Sequence, residues 1–148
     1  MPIIKNNIKL SETECDKLIN YVDSSDIQDA KVTNLPIDNI ETIQINKYAV
    51  GEYFKPHYDF LPETMLNNGG QRLYSVLIYL NSDFKGGETF FQHLYNTVSP
   101  KKGLVIAWKN CVSGTTELEY NSLHESLPVL EGTKYSLIAW VRQSKYNI

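Results

Sequence analysis

The chain has 148 residues, 42% hydrophobic and 21% charged, with 8 Gly and 6 Pro. That is the composition of one folded domain and excludes disorder, collagen and coiled coil. Lys and Arg total 14 against 17 Asp and Glu, a net charge of −3, so no basic excess draws the protein onto nucleic acid.

Residues 1–10 contain no apolar core of a secretory signal, and no apolar run approaches the ~18 residues of a membrane span. The expectation is a cytoplasmic domain covering residues 1–148, away from membranes and with its oligomeric state open. The two cysteines, Cys15 and Cys111, make neither a disulfide framework nor a zinc ligand set.

In chain order, Ser11-Glu12-Thr13-Glu14 has the spacing of a capping box, and Cys15, Leu18, Ile19 and Val22 then recur at helical spacing. This predicts one helix fading at Asp23-Ser24-Ser25. Residues 26–40, with Pro36, predict a loop or short strand. From Glu41 the chain reads as strands. Ile43 and Ile45 alternate with Thr42, Gln44 and Asn46, and Leu73 to Leu80 is the near-continuous apolar run of a strand covered on both faces.

Further strands are predicted at Glu88–Phe91, Thr97–Ser99, Leu104–Trp108, Ser122–Pro128 and Lys134–Arg142. Turn chemistry separates them at Gly69-Gly70, Asn81-Ser82-Asp83, Gly86-Gly87, Pro100-Lys101-Lys102-Gly103 and Glu131-Gly132-Thr133. Short strands behind a leading helix predict a mainly β jelly roll with that helix packed on one sheet.

There are 3 histidines: His57, His93 and His124. In an extended segment His57 and Asp59 project from the same face, and His124 would complete two imidazoles and a carboxylate around one side of a metal. Taken alone, the pattern reads first as a surface histidine followed by a turn aspartate, ahead of a metal site.

Lys134 opens an apolar strand whose one face carries Lys134, Ser136, Ile138, Trp140 and Arg142. It is either an edge cation in solvent or a fixed cation in a pocket. In a simple hairpin His124 would face about Ile138, leaving Lys134 roughly 13 Å along the ladder. If successive strands cross to facing sheets, roughly 10 Å apart, both residues can point into one pocket that suits a small dicarboxylate.

The ordered set of motifs resembles the Fe(II)/2-oxoglutarate dioxygenases, in their prolyl 4-hydroxylase-like branch. The matching text begins with Leu10-Ser11-x-x-Glu14-Cys15 and Tyr48-x-x-Gly51-x-Tyr53-x-x-Pro56-His57-Tyr58-Asp59-Phe60. It continues through Gly69-Gly70-Gln71-Arg72, Tyr79-Leu80-Asn81, Gly86-Gly87-Glu88-Thr89 and Pro100-x-x-Gly103. Ser122 to Val129, Gly132-Thr133-Lys134 and Trp140 complete it.

The resemblance covers about residues 8 to 143. It implies a double-stranded β-helix, with His57, Asp59 and His124 as iron ligands. It implies Lys134 as partner of the distal 2-oxoglutarate carboxylate, helped by Tyr48 and Thr89 hydroxyls, and places Arg72 and Trp140 near the substrate channel. The implied reaction uses Fe(II), O₂ and 2-oxoglutarate, with ascorbate as a candidate reductant, and hydroxylates an unactivated C–H, first of all in a prolyl residue of a peptide or protein. Asp59 fills a position that a halide occupies in sequences with Gly or Ala there, favouring hydroxylation over halogenation.

Peptide-hydroxylating relatives carry a longer, arginine-containing segment before Glu41, whereas residues 24–40 here are short and contain no Arg. A free amino acid or other small molecule is therefore the alternative substrate, and a β-sandwich binding module with a vestigial iron site is the alternative of another class. Phe60 to Gln71 has the composition of a mobile loop beside the site. His93 and Trp108 read as structural.

Overall fold

The computed structural model describes residues 4–6 and 37–148. The helix expected from Ser11 to Val22 and most of the segment expected as loop lie outside the described residues. The strands are β1 (Ile4–Asn6), β2 (Gln44–Tyr48), β3 (Phe54–His57), β4 (Arg72–Tyr79), β5 (Lys85–Gly86), β6 (Thr89–Phe91), β7 (Asn96–Val98), β8 (Val105–Lys109), β9 (His124–Ser126), β10 (Val129–Glu131) and β11 (Lys134–Arg142). Every pairing among the described residues is antiparallel. A five-stranded sheet runs β1-β8-β4-β11-β2, a four-stranded sheet runs β3-β9-β6-β7, and β10 pairs with β5. Among the described residues the helical segments are single 3₁₀ turns.

Strand alternation divides the apolar side chains into two clusters. From the five-stranded sheet, Tyr79, Ile106, Trp108, Ile138 and Trp140 meet Phe91 and Val98 of the four-stranded sheet. Val76, Ile78, Val105, Leu137 and Ala139, on the opposite parity, form the second cluster on the outer face. Ile43 and Ile45 belong to that outer cluster, so β2 turns its polar residues Gln44 and Asn46 inward, where they line a cavity. Burying a side chain such as Ile106, at 0% exposure, contributes about 1.5–3 kcal/mol. The two-sided cover of β4 and β11 explains why both read as long apolar runs.

The stretch expected as one strand over Ser122–Pro128 is broken. Ser122 ends a 3₁₀ turn, β9 holds three residues, and the chain resumes as β10 beyond Pro128. Pro128 has no N–H to extend a ladder, and its carbonyl instead accepts from Gly87 N. The chain thus passes from the small sheet through β10 to the large sheet, and the hairpin alternative for His124 and Lys134 does not form. Gly86-Gly87, expected as a turn, carries β5 into this crossing. Gly86 has φ +76°, and a Cβ there would lie 2.3 Å from Pro128 O.

Candidate metal centre

His57 is the last residue of β3 and pairs with His124, the first of β9. Asp59 lies two residues past the end of β3, outside regular strand. One ligand atom from each of these three residues lies within 4.8 Å of the others. His57 Nε2 is 3.5 Å from Asp59 Oδ1 and His124 Nε2 is 3.8 Å from Asp59 Oδ2.

The Nδ1 atoms of His57 and His124 each sit 2.8 Å from a main-chain carbonyl two residues earlier, Lys55 O and Ser122 O. A carbonyl only accepts, so each Nδ1 carries a hydrogen, and it is the Nε2 of each ring that faces Asp59. Phe54 packs edge-on to His57 at 4.2 Å and Trp108 edge-on to His124 at 4.6 Å, which restrains both rings.

Charge follows the same division. Burial pushes the His124 imidazole below its ordinary value, with Asp59 working the other way. Burial alone would raise the Asp59 carboxyl, but the His57 ring, His124, the Ser75 hydroxyl and the Trp140 indole hold it well below the usual carboxylate range. Two imidazoles and one anionic carboxylate are a donor set that suits a divalent transition metal.

Lys134 opens β11, at 2% exposure. Its Nζ donates to Gly87 O at 2.8 Å and Ser126 Oγ at 2.7 Å, leaving one of three N–H bonds for a ligand. Burial pulls its pKa down to about 8, and Glu88 opposes the shift. Tyr48 is its register partner on β2, with the ammonium 4.9 Å from the ring centroid. Thr89 is buried and its Oγ1 is 2.6 Å from the Tyr79 hydroxyl. Lys134, Tyr48 and Thr89 share one cavity of about 260 Å³ with His57, Asp59 and His124.

Arg72 and Trp140 also line that cavity. Arg72 forks onto Glu41 at 2.6 and 2.7 Å and lies 3.8 Å over the Trp140 ring, so its charge is already engaged. Glu41 binds Arg142 too, at 2.9 Å. Arg142 in turn holds Met65 O at 3.0 Å and Asn68 O, while Gln71 bonds both main-chain groups of Leu61. The segment expected as a mobile loop is thereby tied at both ends. His93 stands outside the metal cluster, stacked on Tyr120 at 3.8 Å.

Four residues of the site escape sequence reasoning. Ser126 had a usable signal, since it follows His124 by two and so shares its face. Tyr79 stood in the matched Tyr79-Leu80-Asn81 text without a role, and Ser75 and Asn110 had no signal: the hydroxyl and amide groups of all three matter through partners distant in sequence.

Residues 43–142 match the 2OG-Fe(II) oxygenase superfamily. Prolyl 4-hydroxylase 1 of Arabidopsis thaliana is 29% identical over 159 residues, covering 95% of this chain and 56% of its own length. Prolyl 4-hydroxylase 5 of the same plant is 32% identical over 136 residues, covering 78% of this chain and 46% of its own. The chain spans about half the length of the curated relatives it matches. Among solved structures, the viral collagen prolyl hydroxylase of Paramecium Bursaria Chlorella virus-1, in its 2OG complex, aligns with a TM-score of 0.80 at 27% identity, over 98% of this chain and 97% of that one.

Proposed function

The chain belongs to the 2OG-Fe(II) oxygenase superfamily, and from that premise we propose that it hydroxylates an unactivated C–H bond of a prolyl residue in a peptide or protein. One atom of O₂ enters the substrate as hydroxyl. The other enters 2-oxoglutarate, which is decarboxylated to succinate and CO₂. The bound iron supplies the oxygen-activating chemistry that no side chain offers. The remaining tasks fall to the chain, read as one catalytic domain over residues 1–148, with ascorbate as reductant.

His57, Asp59 and His124 would hold the iron through the Nε2 of each imidazole and a carboxylate that stays ionised. Lys134 offers its free N–H to the distal carboxylate of 2-oxoglutarate, with the hydroxyls of Tyr48 and Thr89 beside it. Arg72 and Trp140 form the wall met by substrate, the guanidinium positioning the indole by stacking. No helix among the described residues is long and apolar enough to cross a membrane.

The observation that carries this reading is the shared cavity. Ser126, the hydrogen-bond partner of the Lys134 ammonium, is two residues from His124, roughly 7 Å by strand rise. That separation suits a short dicarboxylate chelating metal at one end and meeting an ammonium at the other.

The test is an anaerobic titration of the metal-free protein with Fe(II) and then 2-oxoglutarate. A weak visible charge-transfer band is expected, lost in His57→Ala and weakened in Lys134→Ala. A folded protein with no band at saturating 2-oxoglutarate would restore the binding-module reading. Succinate release with proline-containing peptides against free amino acids then tests the substrate, and turnover of free amino acids alone would overturn the peptide assignment.

A further inference from the structure

In the middle of the inner face of the five-stranded sheet, Ser75 of β4 stands in register between Trp108 of β8 and Trp140 of β11. It is 0% exposed, in a row otherwise filled by indoles. Its Oγ lies 2.5 Å from Asp59 Oδ2 and 2.8 Å from Asn110 Nδ2. Asn110, also 0% exposed, follows β8 directly. Its main chain is pinned on both sides, N–H to Leu73 O and carbonyl from Glu119 N.

The direction of this chain of hydrogen bonds follows from chemistry. An ionised carboxylate only accepts, so the single hydroxyl proton of Ser75 points at Oδ2. The hydroxyl oxygen then has lone pairs to offer, and the Asn110 amide N–H donates to one of them. The remaining Asn110 Oδ1 is buried with no partner among the described residues. An amide left half-satisfied in a core is normally selected against, and here it keeps the serine proton aimed one way.

The two oxygens of Asp59 are thereby made unequal. Oδ2 is capped by a short charge-assisted bond from Ser75, while Oδ1 faces His57 Nε2 at the longer distance of 3.5 Å. We propose that Ser75, oriented by Asn110, is a positioning residue that confines Asp59 to metal ligation through Oδ1 alone. A carboxylate chelating through both oxygens would take two of roughly six positions around the metal. With two imidazoles that would leave too few for a bidentate keto acid and oxygen together. The Ser75 hydroxyl donating to Oδ2 keeps the third position open.

The inference rests on the iron reading above, and the experiment separates the two. Full-length wild type, Ser75→Ala, Ser75→Thr and Ser75→Cys are titrated anaerobically with Fe(II) and then, at saturating iron, with 2-oxoglutarate. The charge-transfer band is recorded, as is the Co(II) absorption spectrum without keto acid.

Ser75→Ala is expected to bind metal and to weaken 2-oxoglutarate binding by ten- to a hundredfold, the usual effect of losing a group that orients a ligand. Its charge-transfer band and Co(II) spectrum should shift, and Ser75→Thr, which keeps the hydroxyl, should restore both. Ser75→Cys, close in volume and a weaker donor, should fall between, and it decides the matter if the alanine variant does not fold. Unchanged keto-acid affinity and spectra in a folded variant would reduce Ser75 to a satisfied core hydroxyl and overturn the proposal. So would weaker iron binding with unaltered keto-acid affinity at saturating iron. Absence of any band in the wild type would instead overturn the iron reading itself.

Discussion

The two ends of the cavity are built by opposite means. At the metal end, the tautomer of each histidine is set by a carbonyl two residues back in its own segment, Lys55 O for His57 and Ser122 O for His124. At the lysine end, Lys134 is held by Gly87, 47 positions away, and by Ser126, 8 positions away on another sheet. The first arrangement travels with a short stretch of chain. The second exists only once β5, β9 and β11 have assembled. Donor orientation is thus local and cosubstrate reach is tertiary, and perturbations of the fold should strike the lysine end first.

The strongest way to break this comparison is to remove one side chain from each end. His57→Ala should abolish the Fe(II)–2-oxoglutarate band and lower turnover by about a thousandfold or more. Lys134→Ala should leave Fe(II) affinity within about twofold while raising the 2-oxoglutarate Kd roughly a hundredfold, the scale of losing a charged hydrogen bond. Separate titrations of metal and keto acid check both, and equal loss of iron binding in the two variants would show the ends to be one unit.

Gly87→Ala sharpens the point. Gly87 has φ +66°, and a Cβ there would meet Lys134 Cδ at 2.9 Å. Strain and overpacking should together destabilise the fold by about 2–4 kcal/mol, seen as a lower Tm. In protein that remains folded, 2-oxoglutarate binding should fall on the order of tenfold while iron binding holds.

The pH dependence separates the ends without mutation. Lys134 has its pKa lowered by burial to about 8 from 10.5, so the folded state binds this proton less tightly than the unfolded chain. The ligand-free fold therefore gains stability from this group as pH rises from about 8 toward 10.5. Binding of the dicarboxylate needs the ammonium and should weaken above pH 8 by up to about tenfold per unit. Calorimetric titrations between pH 7 and 9.5 would read the second effect and urea midpoints the first.

The smallest expected effect is that of Tyr79→Phe, which strips the hydroxyl from Thr89 Oγ1 and Val98 O. It should lower stability by about 1 kcal/mol and raise the 2-oxoglutarate Kd only a few-fold, with Fe(II) binding unchanged.

The sequence carried most of the site on its surface. His57 and Asp59 lie two apart, and β11 was legible from Lys134 to Arg142; of the face expected to carry Lys134, Ser136, Ile138, Trp140 and Arg142, the first four line the cavity, while Arg142, beyond a register shift after Val141, pairs with Glu41 instead. Ser122–Pro128 was misread as one strand because apolar and polar alternation cannot register where Pro128 interrupts a ladder. Gly86 read as a turn because positive φ marks turns and tight strand crossings alike. Glu41 gave no sign of its place between Arg72 and Arg142, since its partners lie 31 and 101 positions away.

What the sequence determined by itself was the chemistry: which side chains alternate to one face, which turns admit only glycine, and a spacing of imidazole and carboxylate whose rings orient against their own main chain. Those are short-range consequences of strand period and of obligatory backbone acceptors. Only the tertiary structure decided that β9 and β11 lie in different sheets, that Lys134 is enclosed with one N–H to spare, and that Ser75 and Asn110 reach Asp59. Each of these depends on register between strands remote in sequence, and register is settled by packing the whole inner face at once.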